Sequence, residues 1–244
     1  MTELFTLTRS EMAQLLLSIE GHHKITPLEL LQKAWTKHHK SDVDQGTTYA
    51  AFLSTSLPPI LEKLIKGNRT AGFSLQEIAS LAQMIEYSNT SLTSMQNWVK
   101  RDFKEYFSSP KIGKKYSIHQ AALLFIIDDL KALLDFDSIR NLFKGIFMDP
   151  VRDDDDLLNP LLLYNTYADL FEQLDCEKER LIHTDRGAES QVLSAVDKMV
   201  QSFSYLTERQ HLIVRNIIFI ATLSVQTTYL HSLSKRYLNA TLFL

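Results

Sequence analysis

The residue types best suited to chemistry gather late in the chain. Cys176, Glu177, Glu179, His183 and Asp185 bring a thiol, an imidazole and carboxylates into one short stretch, the ingredients of nucleophilic or acid-base catalysis. Their spacing specifies neither a triad nor a carboxylate pair, so the stretch reads as an exposed loop and no enzyme activity is expected. His22-His23 and His38-His39 invite a metal. Adjacent histidines on a helix point about 100° apart, however, and no cysteine or carboxylate set completes a ligand group, so surface histidines are the expectation. Asp153 to Asp156 lack the glycine and closing glutamate of an EF-hand loop and read as the acidic start of a helix. The seven glycines, at 21, 46, 67, 72, 113, 145 and 187, form no G-x-G. Gly67 and Gly72 have P-loop spacing, but Phe73 and Ser74 follow where Lys and Ser or Thr are needed. No metal and no cofactor is expected.

The elements that must position any site are helical. With 244 residues, 45% hydrophobic and 23% charged, the chain can bury a sizeable core without disulfides. Its one cysteine suits a reducing compartment, and the acidic start MTELFTLTRSEM lacks the basic and apolar regions of a signal peptide. The most membrane-like stretch, 211 to 231, is interrupted by Arg215, Asn216 and Gln226 and reads as a buried helix. A cytoplasmic protein without membrane contact is expected.

Helical periodicity runs almost throughout, and alternating β-branched runs are nearly absent. Thr26-Pro27 with Glu29 predicts a helix start, and Pro58-Pro59 another that Gly67 would end. Ser74 with Glu77, Ser117 with Gln120, and Thr207 with Gln210 match the capping box. Asp137 is expected to cap a helix over SIRNLFKGIF. The text MDPVRDDDD predicts a junction near 148–156. Beyond it, helices are expected over about 160 to 175, 189 to 203 and 208 to 233.

Positive charge concentrates in SLTSMQNWVKRDFKEYFSSPKIGKKYS, 91 to 117. Residues 98 to 115 hold six basic residues against two acidic, a net of +4, whereas 148 to 244 hold nine against fourteen, a net of −5. A formal charge of −3 therefore hides a segregated distribution that permits nucleic-acid contact. From Ser74 the pattern is helix, a turn around Tyr87 to Thr90, then a second helix from Ser91, the layout of a helix-turn-helix. Leu92, Met95, Val99 and Trp98 fall toward one face; Thr93, Gln96, Asn97, Lys100 and Lys104 line the other, with the donors and cations a groove-entering helix needs. SSPKIGKKYS, with Lys111, Lys114 and Lys115, fits a small two-stranded wing.

Helix, turn, helix, basic wing ending in Tyr, helix and a short further helix together resemble the MerR-type winged helix-turn-helix over roughly 73 to 147. Met95 matches the apolar position of that family's recognition helix and Trp98 its second aromatic. Gln96 replaces its Arg and Asn97 its first aromatic; Lys114 and Lys115 replace the wing's Tyr-Arg pair, and Tyr116 matches its final Tyr. Through SLTSMQNWVKRD, GKKYS and DFDSIRNLF the whole chain also resembles an uncharacterised bacterial family that joins such a segment to a helical C-terminal region.

The expectation is an all-α protein in three parts: an N-terminal helical segment (1–70), a MerR-like winged helix-turn-helix with a small β-wing (71–147), and a C-terminal helical bundle that dimerises or senses a small-molecule effector (148–244). Its function would be transcription regulation on double-stranded DNA. Thr93, Gln96, Asn97 and Arg101 would face bases or nearby phosphates; Lys100, Lys104, Lys111, Lys114 and Lys115 would neutralise phosphates, beside Tyr116. The apolar long helix and the tail YLNATLFL fit a homodimer, and equally packing within one chain. The alternative is a helical protein-interaction module that does not bind DNA.

Overall fold

The computed structural model describes residues 5–22, 24–38, 57–66, 72–107, 115–150, 155–181 and 188–242. The described chain is mostly helical: α1 Arg9–Glu20, α2 Pro27–His38, α3 Pro59–Lys66, α4 Leu75–Ala82, α5 Leu92–Asn97 running into a π-helical turn Trp98–Asp102, α6 Lys104–Phe107, α7 Ile118–Leu130, α8 Phe136–Ile146, α9 Pro160–Leu181, α10 Ala188–Val200 and α11 Glu208–Leu242. Among the described residues there is no strand, only two isolated bridges, Leu7 with Ile85 and Phe73 with Tyr116.

Local chemistry fixes most starts. The three expected capping boxes form: Glu77 N–H donates to Ser74 Oγ at 3.2 Å, Gln120 N–H to Ser117 Oγ at 3.1 Å, and Gln210 N–H to Thr207 Oγ1 at 3.4 Å. In each pair the Glu or Gln side chain accepts from the cap's own N–H. Thr26 and Glu29 exchange the same bonds at α2. A further box, Thr8 with Glu11, opens α1. Gly21, at φ 91°, closes α1 in the left-handed region that a side chain would disfavour.

Several boundaries differ from expectation. Asp135, not Asp137, caps α8, because its carboxylate accepts from Ser138 N–H at 2.7 Å and leaves Asp137 in the first turn. Asn159 caps α9, accepting from Leu162 N–H at 2.8 Å. Asp155 and Asp156 precede buried Leu157 and Leu158 rather than forming that helix's first turn. The stretch expected as a loop is helical through Leu181, which places Cys176, Glu177 and Glu179 on α9. No glycine or proline separates Pro160 from Gly187, so nothing in the backbone chemistry stops the helix earlier. The final helix continues past 233 to Leu242 for the same reason, reaching about 52 Å at 1.5 Å per residue. Gly67, His23, His39, His183, Asp185, Asp153 and Asp154 lie outside the described residues.

Helix α7 is the centre. Its apolar residues from Ala121 to Ile127 are all buried, as a helix apolar on every side must be. It packs against α1, α9 and α11, while α9 also contacts α1, α10 and α11. One continuous apolar cluster extends from Phe5 to Val225. The inner face of α11, through Val214, Ile217, Ile218, Ala221 and Val225, belongs to it. By length and composition α11 would also suit a membrane span; packing against α7, α9 and α10 gives its apolar side a place inside the protein.

Candidate nucleic-acid interface

The exposed polar face forms in four steps. Ser74 starts α4, whose Ile78, Ala79, Leu81 and Ala82 are buried. The turn that follows is pinned by the N-terminal segment: Leu7 N–H donates to Met84 O at 2.8 Å and Glu86 N–H to Leu7 O at 2.9 Å. Tyr87 then takes φ 65°, a conformation non-glycine residues seldom adopt, and redirects the chain. Ser88 donates to Asp128 Oδ2 on α7 at 2.8 Å, and Ser91 caps α5 by accepting from Ser94 N–H at 3.1 Å.

The second helix is seated by its inner side chains. Met95, Trp98, Val99 and Phe103 are buried. Trp98 and Phe103 meet Phe136 edge-on at 6.5 and 5.4 Å, and Phe103 lies 5.8 Å from Phe143. Such pairs contribute about 0.5–1.5 kcal/mol each beyond burial. Lys131 Nζ stands 4.9 Å from the centre of the Trp98 ring, and Arg140 donates to Asp102 O at 2.7 Å.

Over Trp98–Asp102 the helix widens, and Phe103 N–H reaches back five residues to Trp98 O at 2.8 Å. The extra residue shifts the register so that Trp98 and Val99 turn inward together while Lys100 and Arg101 both emerge into solvent. Periodicity alone carries no signal for this turn.

The sequence-predicted residues fall as follows. Thr93, Asn97, Lys100, Arg101 and Lys104 are exposed and Gln96 is half-buried. Lys115 is exposed beside Tyr116. Tyr116 is half-buried: its backbone exchanges two 2.8 Å hydrogen bonds with Phe73, and its ring meets Phe107 at 6.2 Å. Burial raises its phenol pKa. Lys111, Lys114 and most of the expected wing lie in 108–114, outside the described residues. Thr93, Asn97, Lys100, Arg101 and Lys104 come from one helix and its continuation, so charge and hydrogen-bonding groups share one exposed face there, with Lys115 on a separate segment.

Behind this face lies a buried polar node. Arg9 on α1 donates through Nε to Asp129 Oδ1 at 2.8 Å and through Nη1 to Glu86 O at 2.9 Å; Tyr167 on α9 donates to Asp129 Oδ2 at 2.8 Å. Burial disfavours the Arg9 charge, but Asp129 outweighs it and raises the guanidinium's pKa. Burial is the largest influence on the Asp129 carboxyl and raises its pKa, against the opposing pull of Arg9. In the ionised pair, the carboxylate accepts from every donor that converges on it. The node ties α1, the turn after α4, α7 and α9 together. Thr8-x-x-Glu11 and the Asp pair inside apolar IIDDL were its available signals; which cation reached Asp129 was not readable from spacing.

An exposed polar and basic helix face, backed by an aromatic core and braced by a buried ion pair, defines an all-helical protein with a candidate macromolecule-binding surface. The profile of a domain of unknown function, DUF1836, matches residues 73–167, from the bridge at Phe73 to Tyr167 of the node. The chain is 30% identical over 234 residues to the uncharacterized protein YkrK of Bacillus subtilis (strain 168), covering 94% of this chain and 95% of that protein. It belongs to the family of that protein, with the DUF1836 domain at its centre. No solved structure matches.

Proposed function

We propose that this protein is a cytoplasmic DNA-binding transcription regulator whose segment 71–147 works as a MerR-like winged helix-turn-helix. The observation that carries the reading is the face formed by Thr93, Asn97, Lys100, Arg101 and Lys104. These side chains are exposed and have no side-chain hydrogen bond or ion pair among the described residues, while the same helix buries Met95, Trp98 and Val99. Cations held free on a seated helix suit phosphates, and neighbouring amides and hydroxyls suit base edges. A homodimer would present two such faces to two half-sites.

The test is selection of bound fragments from a random DNA pool, with wild type beside a Lys100→Ala, Lys104→Ala, Lys115→Ala variant. The expected result is a common site enriched by wild type and lost by the variant. Absence of enrichment at low salt overturns the reading. A second reading, a helical interaction module without DNA, draws on the exposed apolar residues of α11, Leu230, Tyr237, Leu238 and Leu242. Its affinity for a protein would respond little to salt, whereas phosphate contacts lose affinity steeply.

A further inference from the structure

Beside the turn that leads into α5 is a half-open cavity of about 470 Å³, lined by Tyr87 and Asn89 of the turn, Asp128 of α7 and Lys131 at its C-cap, and His231 and Lys235 of α11. That volume lies within the range of small-molecule sites, about 300–1,000 Å³. Three separate elements meet there, and the backbone of Tyr87 at φ 65° is held in a strained conformation at its rim. The Tyr87 ring is fixed edge-on against Tyr229 at 5.2 Å, giving the cavity a flat aromatic wall.

The polar groups divide unequally. Asp128 is already engaged, accepting from Ser88 at 2.8 Å and pairing with Lys131 at 2.5 Å. His231 and Lys235 have no side-chain partner among the described residues and stand one helical turn apart on α11. Lys131 and Lys235 against Asp128 leave the lining net positive. Lys131 does two further things: it donates to Thr90 Oγ1 at 3.3 Å and caps the buried Trp98 ring at 4.9 Å.

We propose that this cavity binds a small organic anion, a carboxylate or phosphate group on a flat or apolar body. Lys235 and His231 take the anionic group, Tyr87 the body, and Lys131 transmits occupancy to Trp98. An anion drawing on Lys131 weakens its hold on the ring and on Thr90, both of which seat the Leu92–Asp102 helix. The site stands independently of DNA binding; only its regulatory consequence rests on the proposed function.

The experiment uses the full chain carrying Trp35→Phe, which leaves Trp98 as the sole tryptophan of the two present. Phenyl phosphate, inorganic phosphate and benzoate are titrated separately without DNA, with calorimetry beside Trp98 emission. The expected result is saturable binding of phenyl phosphate with Kd below about 1 mM and a parallel change in emission. Lys235→Gln with His231→Gln weakens it at least about tenfold, while Lys198→Gln on α10 leaves it unchanged. Inorganic phosphate and benzoate then separate a phosphate from a carboxylate preference. No binding of any probe, or binding that survives the double substitution, overturns the site. Binding without an emission change overturns the link through Lys131. Because no DNA is present, failure of DNA selection leaves these outcomes readable on their own.

Discussion

The outward face of the Leu92–Asp102 helix and the Arg9–Asp129 node dispose of polar atoms in opposite ways. On the face, the cations and the Asn97 amide stand in solvent without side-chain partners among the described residues. In the node, a guanidinium and a carboxylate are each 4% exposed and bonded on several sides. The difference teaches where each can be altered. An exposed group is already hydrated and leaves little behind when removed; a buried one leaves its partner unpaired in a poorly solvating interior. The node therefore sets how four segments meet, and the face is free to serve recognition.

The sharpest way to break the comparison is Arg9→Ala. It strands the Asp129 carboxylate and should cost about 3–5 kcal/mol, read as a lower urea midpoint with little change in slope. A loss below about 1 kcal/mol would mean that water reaches the node and that it resembles the face. Arg9→Met with Asp129→Leu should recover much of the loss, since removing both charges removes the unpaired one.

Tyr164 sharpens the contrast in the other direction. Its hydroxyl is buried beside the node without a hydrogen-bond partner among the described residues, although its ring packs against Phe125 at 5.7 Å and Tyr167 at 5.6 Å. Tyr164→Phe keeps the ring and removes the unsatisfied atom, so stability should rise by about 1 kcal/mol. A decrease in the unfolding midpoint would show that the hydroxyl has a partner in solution.

Glu20 stands between the extremes, half-buried at the end of α1 and 2.8 Å from His119 on α7. The His119 hydrogen bond holds its carboxyl below the usual 4.5 against the opposing effect of burial. A carboxylate depressed in the folded state adds stability that is complete above its unfolded pKa and lost as pH falls through the folded one. Wild type should therefore lose a few tenths of a kcal/mol more than Glu20→Gln on acidification from about pH 5 to about pH 3. Equal acid limbs for the two proteins would remove Glu20 from the account.

The smallest change in stability is expected on the face itself. Lys100→Ala, Arg101→Ala and Lys104→Ala should each shift stability by less than about 0.5 kcal/mol. The same substitutions should lower the slope of log affinity against log salt for DNA by about 0.9 for each phosphate contact removed. A marked loss of stability would show that these side chains brace the fold.

Much of the architecture was legible because helix starts are local. Ser74, Ser117, Thr207 and Thr26 each sit three residues before the Glu or Gln that completes their cap, and spacing alone identifies them. The same rule was available at Thr8. Termini were harder: the ends of α9 and α11 depend on the absence of breakers and on packing, so both ran past their expected limits. Of the face, Thr93, Asn97, Lys100 and Lys104 were readable from the apolar stripe opposite them, whereas the widened turn at Trp98–Asp102 was not.

The sequence by itself determined an all-helical protein, the starts of four of its helices, and a basic second helix with one apolar and one polar side. Those properties reside in residues three or four positions apart, whose geometry the backbone imposes without help. Tertiary structure alone decided that Arg9 would meet Asp129, that Lys131 would cap Trp98, and that Tyr87, Lys131 and Lys235 would enclose one cavity. These partners come from different elements, and only the packing of α1, α7 and α11 brings them together.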